Sequence, residues 1–236
     1  MENKVHVISL GGSIIVPDDV DTDFLKSFDK ALRGYLAEEP ESRLIFVCGG
    51  GATARKYQRA YRGILGEMQA DEKPEALDWI GIMATRLNAE LMRQLFLDLC
   101  PQKTVTNPEE VHLFAGRVMV AAGWKPGFST DYDAVILAEK FHARMVINLS
   151  NIEQAYTADP KVEPNARPIK RTTWSAFRKL VGDKWIPGIN VPFDPVASRR
   201  AEEAGLTVVI ANGRKLDNLL AILKGRDYIG TTIVPD

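Results

Sequence analysis

Short, continuously apolar runs alternate along this chain with longer stretches whose apolar residues recur every three or four positions. Lys4 to Leu10 is one such run; it leads straight into Gly11-Gly12 and reads as a buried strand. Thr22 to Ala37 places Phe24, Leu25, Phe28, Ala31, Leu32, Tyr35 and Leu36 at helical spacing. Leu44-Ile-Phe-Val47 is apolar throughout, as expected of a parallel strand covered on both faces. Ala52 to Leu65 predicts a helix opening from Gly49-Gly50-Gly51, and a polar patch from Asp71 to Pro74 divides it from a longer helix, Glu75 to Leu99, stopped by Pro101.

The second half keeps this rhythm. Arg117 to Ala121 and Arg144 to Leu149 predict strands either side of a helix from Thr130 to Phe141. Pro160, Pro164 and Pro168 mark an irregular excursion, followed by a short helix from Thr173 to Val181. Pro187-Gly188 and Pro192-Phe-Asp-Pro195 are turn-rich, and Asp194 caps a helix with Pro195 in its first turn, where proline is favoured. A strand from Leu206 to Ile210, a helix from Leu216 to Leu223 and a strand from Thr231 to Val234 complete the pattern. Strand–helix alternation of this kind predicts a mainly parallel sheet with helices on both faces. No linker divides it. In such sheets ligands sit beyond the carboxyl ends of the strands, so the three glycine turns at Gly11, Gly49 and Gly123 should share one edge.

Composition narrows the function without choosing it. The 236 residues can bury a sizeable core, and a formal net charge of −1 argues against a general nucleic-acid binder. There is no apolar leader and no apolar run of membrane-spanning length, so the expectation is a cytoplasmic protein with no membrane partner. Cys48 and Cys100 make no disulfide framework, and Cys48 reads as a buried thiol. His6, His112 and His142 lack metal-ligand spacing, and no metal site is expected from the protein's own side chains. Neither a G-x-x-x-x-G-K-[ST] run nor a G-x-S-x-G elbow occurs.

The chemistry gathers in Ala122-Gly-Trp-Lys-Pro-Gly-Phe-Ser-Thr-Asp131. A glycine- and proline-shaped turn there feeds a helix start, whose free amides and positive dipole end suit an anion. Lys125 is the basic side chain best placed for a transferring phosphoryl group. Ser129, Thr130 and Asp131 could equally cap the helix, and the two roles are compatible. Gly49-Gly50-Gly51 allows close approach of backbone to ligand, with Arg55 one helical turn on from Gly51. Asp78, Thr85 and Asn88 recur at helical spacing on one helix face; Asp78 suits sugar hydroxyls, whereas Thr85 and Asn88 are also read as helix-packing or subunit contacts. Gly81 in that helix implies a close neighbour. Asn151, Tyr156, Thr157 and Asp159 follow a strand and suit a base and ribose, or form a plain loop.

Taken in order, Leu10-Gly-Gly-Ser13, Gly49-Gly-Gly-Ala-Thr-Ala-Arg-Lys-Tyr57, Asp78-Trp-Ile-Gly-Ile-Met-Ala-Thr-Arg-Leu-Asn88, Gly123 to Asp131, Tyr156-Thr-Ala-Asp-Pro160, Asp194-Pro-Val-Ala197 and Gly230-Thr-Thr-Ile-Val-Pro235 resemble the amino acid kinase superfamily. Within it they look like the uridylate (UMP) kinases of the archaeal-like type, over nearly the whole chain. The resemblance implies a three-layer α/β/α sandwich of one domain over residues 1–236, with an acceptor part to about 145 and an ATP part from about 146. It implies transfer of the γ-phosphoryl of MgATP to UMP, and a homohexamer built from dimers. Gly50 and Asp78 would contact UMP, and Trp124, Lys125, Pro126, Gly127, Phe128, Ser129 and Thr130 would wrap its phosphate. Gly11, Gly12, Ser13, Gly51 and Arg55 would hold the ATP phosphates, and Ser150, Tyr156 and Asp159 its nucleoside. Three positions depart from the pattern. Ser9 stands before the first glycine turn where many members carry lysine, Asn151 to Tyr156 lacks the usual turn glycine, and Arg199 replaces the lysine of Asp-Pro-x-Ala-x-Lys. The expected charge-stabilising groups are therefore Lys125 and Arg55, with Mg²⁺. Rival readings are a kinase acting on carbamate, acetylglutamate or glutamate, and a catalytically quiet nucleotide- or oxyanion-binding relative.

Overall fold

A computed structural model describes residues 4–160, 162–182 and 191–236; the turn expected at Pro187-Gly188 lies outside them. Its strands are β1 (Val5–Leu10), β2 (Arg43–Cys48), β3 (Val118–Ala121), β4 (Met145–Ser150), β5 (Arg171–Thr173), β6 (Thr207–Asn212) and β7 (Thr231–Val234). They form one sheet in the order β3-β2-β1-β4-β6-β7-β5. From β3 to β6 all neighbours are parallel, in registers such as Val7↔Ile45 and Ile147↔Val209, whereas β7 runs antiparallel to β6. The short β5 joins the far edge in parallel with β7.

The helices are α1 (Gly12–Ile15), α2 (Thr22–Glu38), α3 (Gly51–Leu65), α4 (Glu67–Asp71), α5 (Pro74–Leu95), α6 (Thr130–Lys140), α7 (Trp174–Val181), α8 (Pro195–Glu203) and α9 (Leu216–Leu223). One apolar core packs α2, α5 and α9 on the face carrying Ile8, Leu10 and Phe46; a second packs α6, α7 and α8 on the face carrying Val7, Ile45 and Val146. Alternate residues of each central strand thus feed opposite cores, which is why those strands read as unbroken apolar runs. The result is the expected α/β/α sandwich. Among the described residues no helix is long and apolar enough to cross a membrane.

Three differences from the sequence reading have physical causes. The long helix stops at Leu95, not Leu99, because buried Phe96 leads a turn in which Arg33 donates to Leu95 O at 2.7 Å and the amides of Arg117 and Val118 both donate to Leu99 O. Thr173 ends β5 and flanks α7 instead of opening the helix. The elements α1, α4 and β5 have four, five and three residues, too few to show a period.

Candidate active site

Because β1 to β4 are parallel, the turns after them lie on one edge. The chain leaves β1 for β2 and β3 on one side and returns to β4 on the other, so β1 and β4 flank the topological switch point where such sheets bind ligands. The first two glycine turns touch there. A Cβ on Gly12 would lie 2.0 Å from Gly51 N, and one on Gly49 would lie 2.4 Å from Gly12 N. Gly51 also has φ +61°. Glycine is therefore demanded by backbone meeting backbone. Gly11 N is spent on Leu149 O and Gly49 N on Leu10 O, each in a short bond, while the amides of Gly12, Ser13, Gly50 and Gly51 donate to no other described group. Four amides in two touching turns form a ready anion cradle.

The helix with the polar face braces these turns. Asn88 Nδ2 donates to Gly49 O at 2.8 Å and to Gly50 O at 3.2 Å. Thr85 Oγ1 accepts from Gly123 N at 2.8 Å. Of the two readings left open for these side chains, packing within the chain is the one observed. Gly81 is explained by Gln58, whose Nε2 lies 3.1 Å from where a Cβ would be. A Cβ on Gly50 would meet Ala54 Cβ of α3 at 2.8 Å and Gly81 O of α5 at 3.3 Å, so Gly50 too is crowded, by the next turn of α3 and by the approach of α5.

The third turn closes over half-buried Asp78, whose Oδ2 accepts from Gly127 N at 2.9 Å. Gly127 has φ +82° with open space around it. Ser129 caps α6 by accepting from Tyr132 N at 3.2 Å, so the capping role is real, and only the amides of Thr130 and Asp131 in that first turn donate to no described group. Lys125 Nζ sits 3.6 Å from the centre of the Trp124 ring and 5.1 Å from that of Phe128, and the stack continues through Phe128 to Tyr132 at 4.6 Å. Its ammonium therefore rests on an aromatic face within its own turn.

Arg55 turns back to the segment that borders the Gly51 turn, where Val16 O accepts from Ala52 N at 2.9 Å. It is exposed, and its guanidinium donates to Pro17 O at 2.9 Å, in the segment after α1. Ser150 lies at the end of β4, where its carbonyl accepts from Gly213 N at 2.9 Å. Tyr156 pairs in an isolated bridge with Pro168, and exposed Asp159 accepts at its carbonyl from Val162 N and Glu163 N, so both belong to a folded-back loop after β4 that is bonded to Thr231 of β7 through Ala155 N. Cys48 is fully buried, and burial pushes its thiol pKa up.

Three carboxyls do more than the sequence reading assigns them, and one of them, Asp133, it passes over. Asp131 accepts from Ser9 Oγ at 2.8 Å and from Asp194 N at 3.4 Å, while Asp194 accepts from Ala197 N at 2.7 Å. This chain of bonds ties the end of β1 to the first turns of α6 and α8. Burial raises the Asp131 pKa to about 6, with Ser9 opposing, and raises Asp194 as well. Asp133 is fully buried and accepts from Trp124 N at 3.2 Å; desolvation raises it to about 7. Asp194 is the N-cap of α8 that the sequence predicts, whereas the bonds of Asp131 and the burial of Asp133 have no counterpart in that reading. The signal available in sequence was an aspartate at 133 inside an apolar helix stretch.

This arrangement can hold two anionic groups side by side, one on the Gly12–Gly51 cradle and one at the α6 start. A family model for the amino acid kinase family matches residues 4–212. The chain belongs to the amino acid kinase family. It is 34% identical over 230 residues to a uridylate kinase of Methanospirillum hungatei, covering 96% of this chain and 93% of that one. It is 35% identical over 234 residues to a uridylate kinase of Thermoplasma volcanium, covering 98% of each. The crystal structure of uridylate kinase from Archaeoglobus fulgidus superposes with a TM-score of 0.81 at 28% identity, covering 97% of this chain and 99% of that one. The protein is thus similar throughout its length to phosphotransferases.

Proposed function

We propose that this protein transfers the γ-phosphoryl group of MgATP to UMP, giving UDP and ADP. The observation that supports the reading is that the touching Gly12 and Gly51 turns follow β1 and β2 on the sheet edge where Ser9 of β1 also ties down the α6 start through Asp131, in a chain similar end to end to uridylate kinases. Phosphoryl transfer needs positioning and positive charge more than covalent chemistry. In this reading the amides of Gly12, Ser13 and Gly51, with Gly11 shaping the turn, hold donor phosphates. Gly50 and Asp78 contact UMP, Asp78 at its ribose, and the turn from Trp124 to Thr130 holds the acceptor phosphate. Ser150, Tyr156 and Asp159 line the donor nucleoside. Lys125 leaves the Trp124 face to meet the transferring group, and Arg55 exchanges Pro17 O for a phosphate oxygen.

Mg²⁺ would neutralise charge on the ATP phosphates. No group of three or more His, Cys, Asp or Glu side chains able to hold a metal occurs among the described residues. That fits an ion delivered on the nucleotide, since Mg²⁺ commonly keeps most of its ligands as phosphate and water.

The chain works as one domain with an acceptor part to about residue 145 and a donor part beyond it, in the cytoplasm, as a homohexamer built from dimers. Trp79, Met83 and Leu87 on α5, with Tyr57 and Ile64 on α3, are exposed large apolar side chains that suit a contact between copies. ADP release measured with UMP, CMP, carbamate and N-acetylglutamate tests the assignment. Activity confined to UMP is the expected result; activity on carbamate or the carboxylate alone, or on none of the four, overturns it.

A further inference from the structure

Two side-chain atoms among the described residues are buried without a hydrogen-bond partner: Arg86 Nε and Asp133 Oδ1. They belong to the two side chains that grip one residue of the third turn. Arg86 Nη2 donates to Trp124 O at 3.1 Å, and Asp133 Oδ2 accepts from Trp124 N at 3.2 Å. Arg86 comes from α5 in one helical layer and Asp133 from α6 in the other, so the main chain of Trp124 is clamped across the edge of the sheet. Arg86 is itself steadied by Trp79, with Cζ 5.8 Å from the ring centre.

A buried polar atom left unpaired is destabilising, and a buried charge more so. Stability alone would favour an apolar side chain at 133, inside a helix stretch where Ala134 to Ala138 are all buried. Both side chains instead spend one polar atom on Trp124 and leave another without a partner. Such a pattern is expected where position matters more than stability.

We infer that Arg86 and Asp133 are positioning residues that, by clamping Trp124, hold the 123–128 turn where the acceptor phosphate docks. The inference rests on the acceptor role proposed for that turn. Neither side chain need touch substrate. Their effect passes through the Trp124 peptide, and a displacement of about 1 Å at a reacting group is enough to cost on the order of a hundredfold in rate.

The test uses the full-length protein with Asp133→Leu, Asp133→Asn and Arg86→Met. Asp133→Leu keeps the volume and removes the acceptor for Trp124 N–H, whereas Asp133→Asn keeps a carbonyl there. The expected result for Asp133→Leu is an unchanged or higher Tm together with a KM for UMP raised tenfold or more and a KM for ATP within twofold. Asp133→Asn should restore most of the acceptor KM, and Arg86→Met should raise it as Asp133→Leu does. A purely structural role would lower Tm and move both KM values together, and that outcome overturns the inference. Amide hydrogen exchange reads the clamp without any substrate. Faster exchange confined to residues 123–128 in Asp133→Leu and Arg86→Met supports it even if UMP proves not to be the acceptor, and unchanged exchange there overturns it.

Discussion

Ser9 Oγ donates to Asp131 Oδ1 at 2.8 Å, joining the end of strand β1 to the first turn of α6. Ser9 is 2% exposed. The serine stands where many family members place a lysine, so the acid it meets is held by a neutral hydroxyl and by Asp194 N. Burial, not a neighbouring cation, then decides the state of Asp131, and the Asp194 charge pushes the same way.

A pH dependence of stability follows. Desolvation raises Asp131 to about 6 and Asp133 to about 7, both above the ordinary 3.8. The folded state therefore keeps protons that the unfolded chain has released, and stability falls as pH rises from about 4 through about 7. Each group contributes at most about 1.4 kcal/mol per pH unit in its window. Melting temperatures measured from pH 4 to 8 should decline over that range, and Asp133→Asn should flatten the upper part of the decline. An identical profile in the variant would show that Asp133 does not titrate there.

Asn88 holds two main-chain carbonyls of the triple-glycine turn. Replacing it with leucine strands the buried Gly49 O, whereas Gly50 O keeps the Ala54 amide. Asn88→Leu should destabilise the fold by about 1–3 kcal/mol, as expected for unpaired buried groups, and weaken binding of both substrates. Urea unfolding with parallel titrations of UMP and ATP checks this; loss of stability with intact affinities would show that the turn keeps its shape without the amide.

Gly12→Ala tests whether the two glycine turns must touch. The added methyl would overlap Gly51 N, Gly51 Cα and Gly49 C, all main-chain atoms that cannot rotate away. The expected cost exceeds about 4 kcal/mol, in the range reserved for strain at a special backbone site. Little soluble protein should be recovered. Gly127→Ala makes the comparison, because its surroundings are open and only the positive φ is strained; on the order of 1 kcal/mol is expected there. Circular dichroism melts of the two variants should differ widely, and similar melts would overturn the argument from close approach.

The sequence carried the architecture because its strands are long enough to read and bury alternate residues on both faces. It also carried the shared edge, since glycine turns after parallel strands have nowhere else to go. What it could not carry was direction. Arg55 has the right spacing from Gly51, and its long side chain finds Pro17 O, next to the Val16 carbonyl that accepts from Ala52 N; no periodicity reports that choice. Lys125 likewise lies on Trp124, a contact made within the turn itself. Asp131 and Asp194 lie far apart in sequence, each at a helix start where a cap is the ordinary explanation; only the packing of α6 on β1 and on α8 brings Asp131 to Ser9 and to the Asp194 amide.

Lys125 gives the sharpest test of the transfer chemistry. An exposed cation on an aromatic face is held by about 0.5–1 kcal/mol, far less than a charge-assisted contact to phosphate provides, so substrate should draw it off the ring. Lys125→Ala should lower kcat by about a hundredfold or more, comparable to losing one preorganised donor to a developing charge. Lys125→Arg should recover part of that loss, because charge is kept while the reach and geometry change. Trp124 emission should shift when UMP and a non-hydrolysable ATP analogue bind to the parent protein, and the shift should be absent in Lys125→Ala. Full turnover in Lys125→Ala would remove the lysine from the chemistry and leave the amide cradle and Mg²⁺ to stabilise the transferring group.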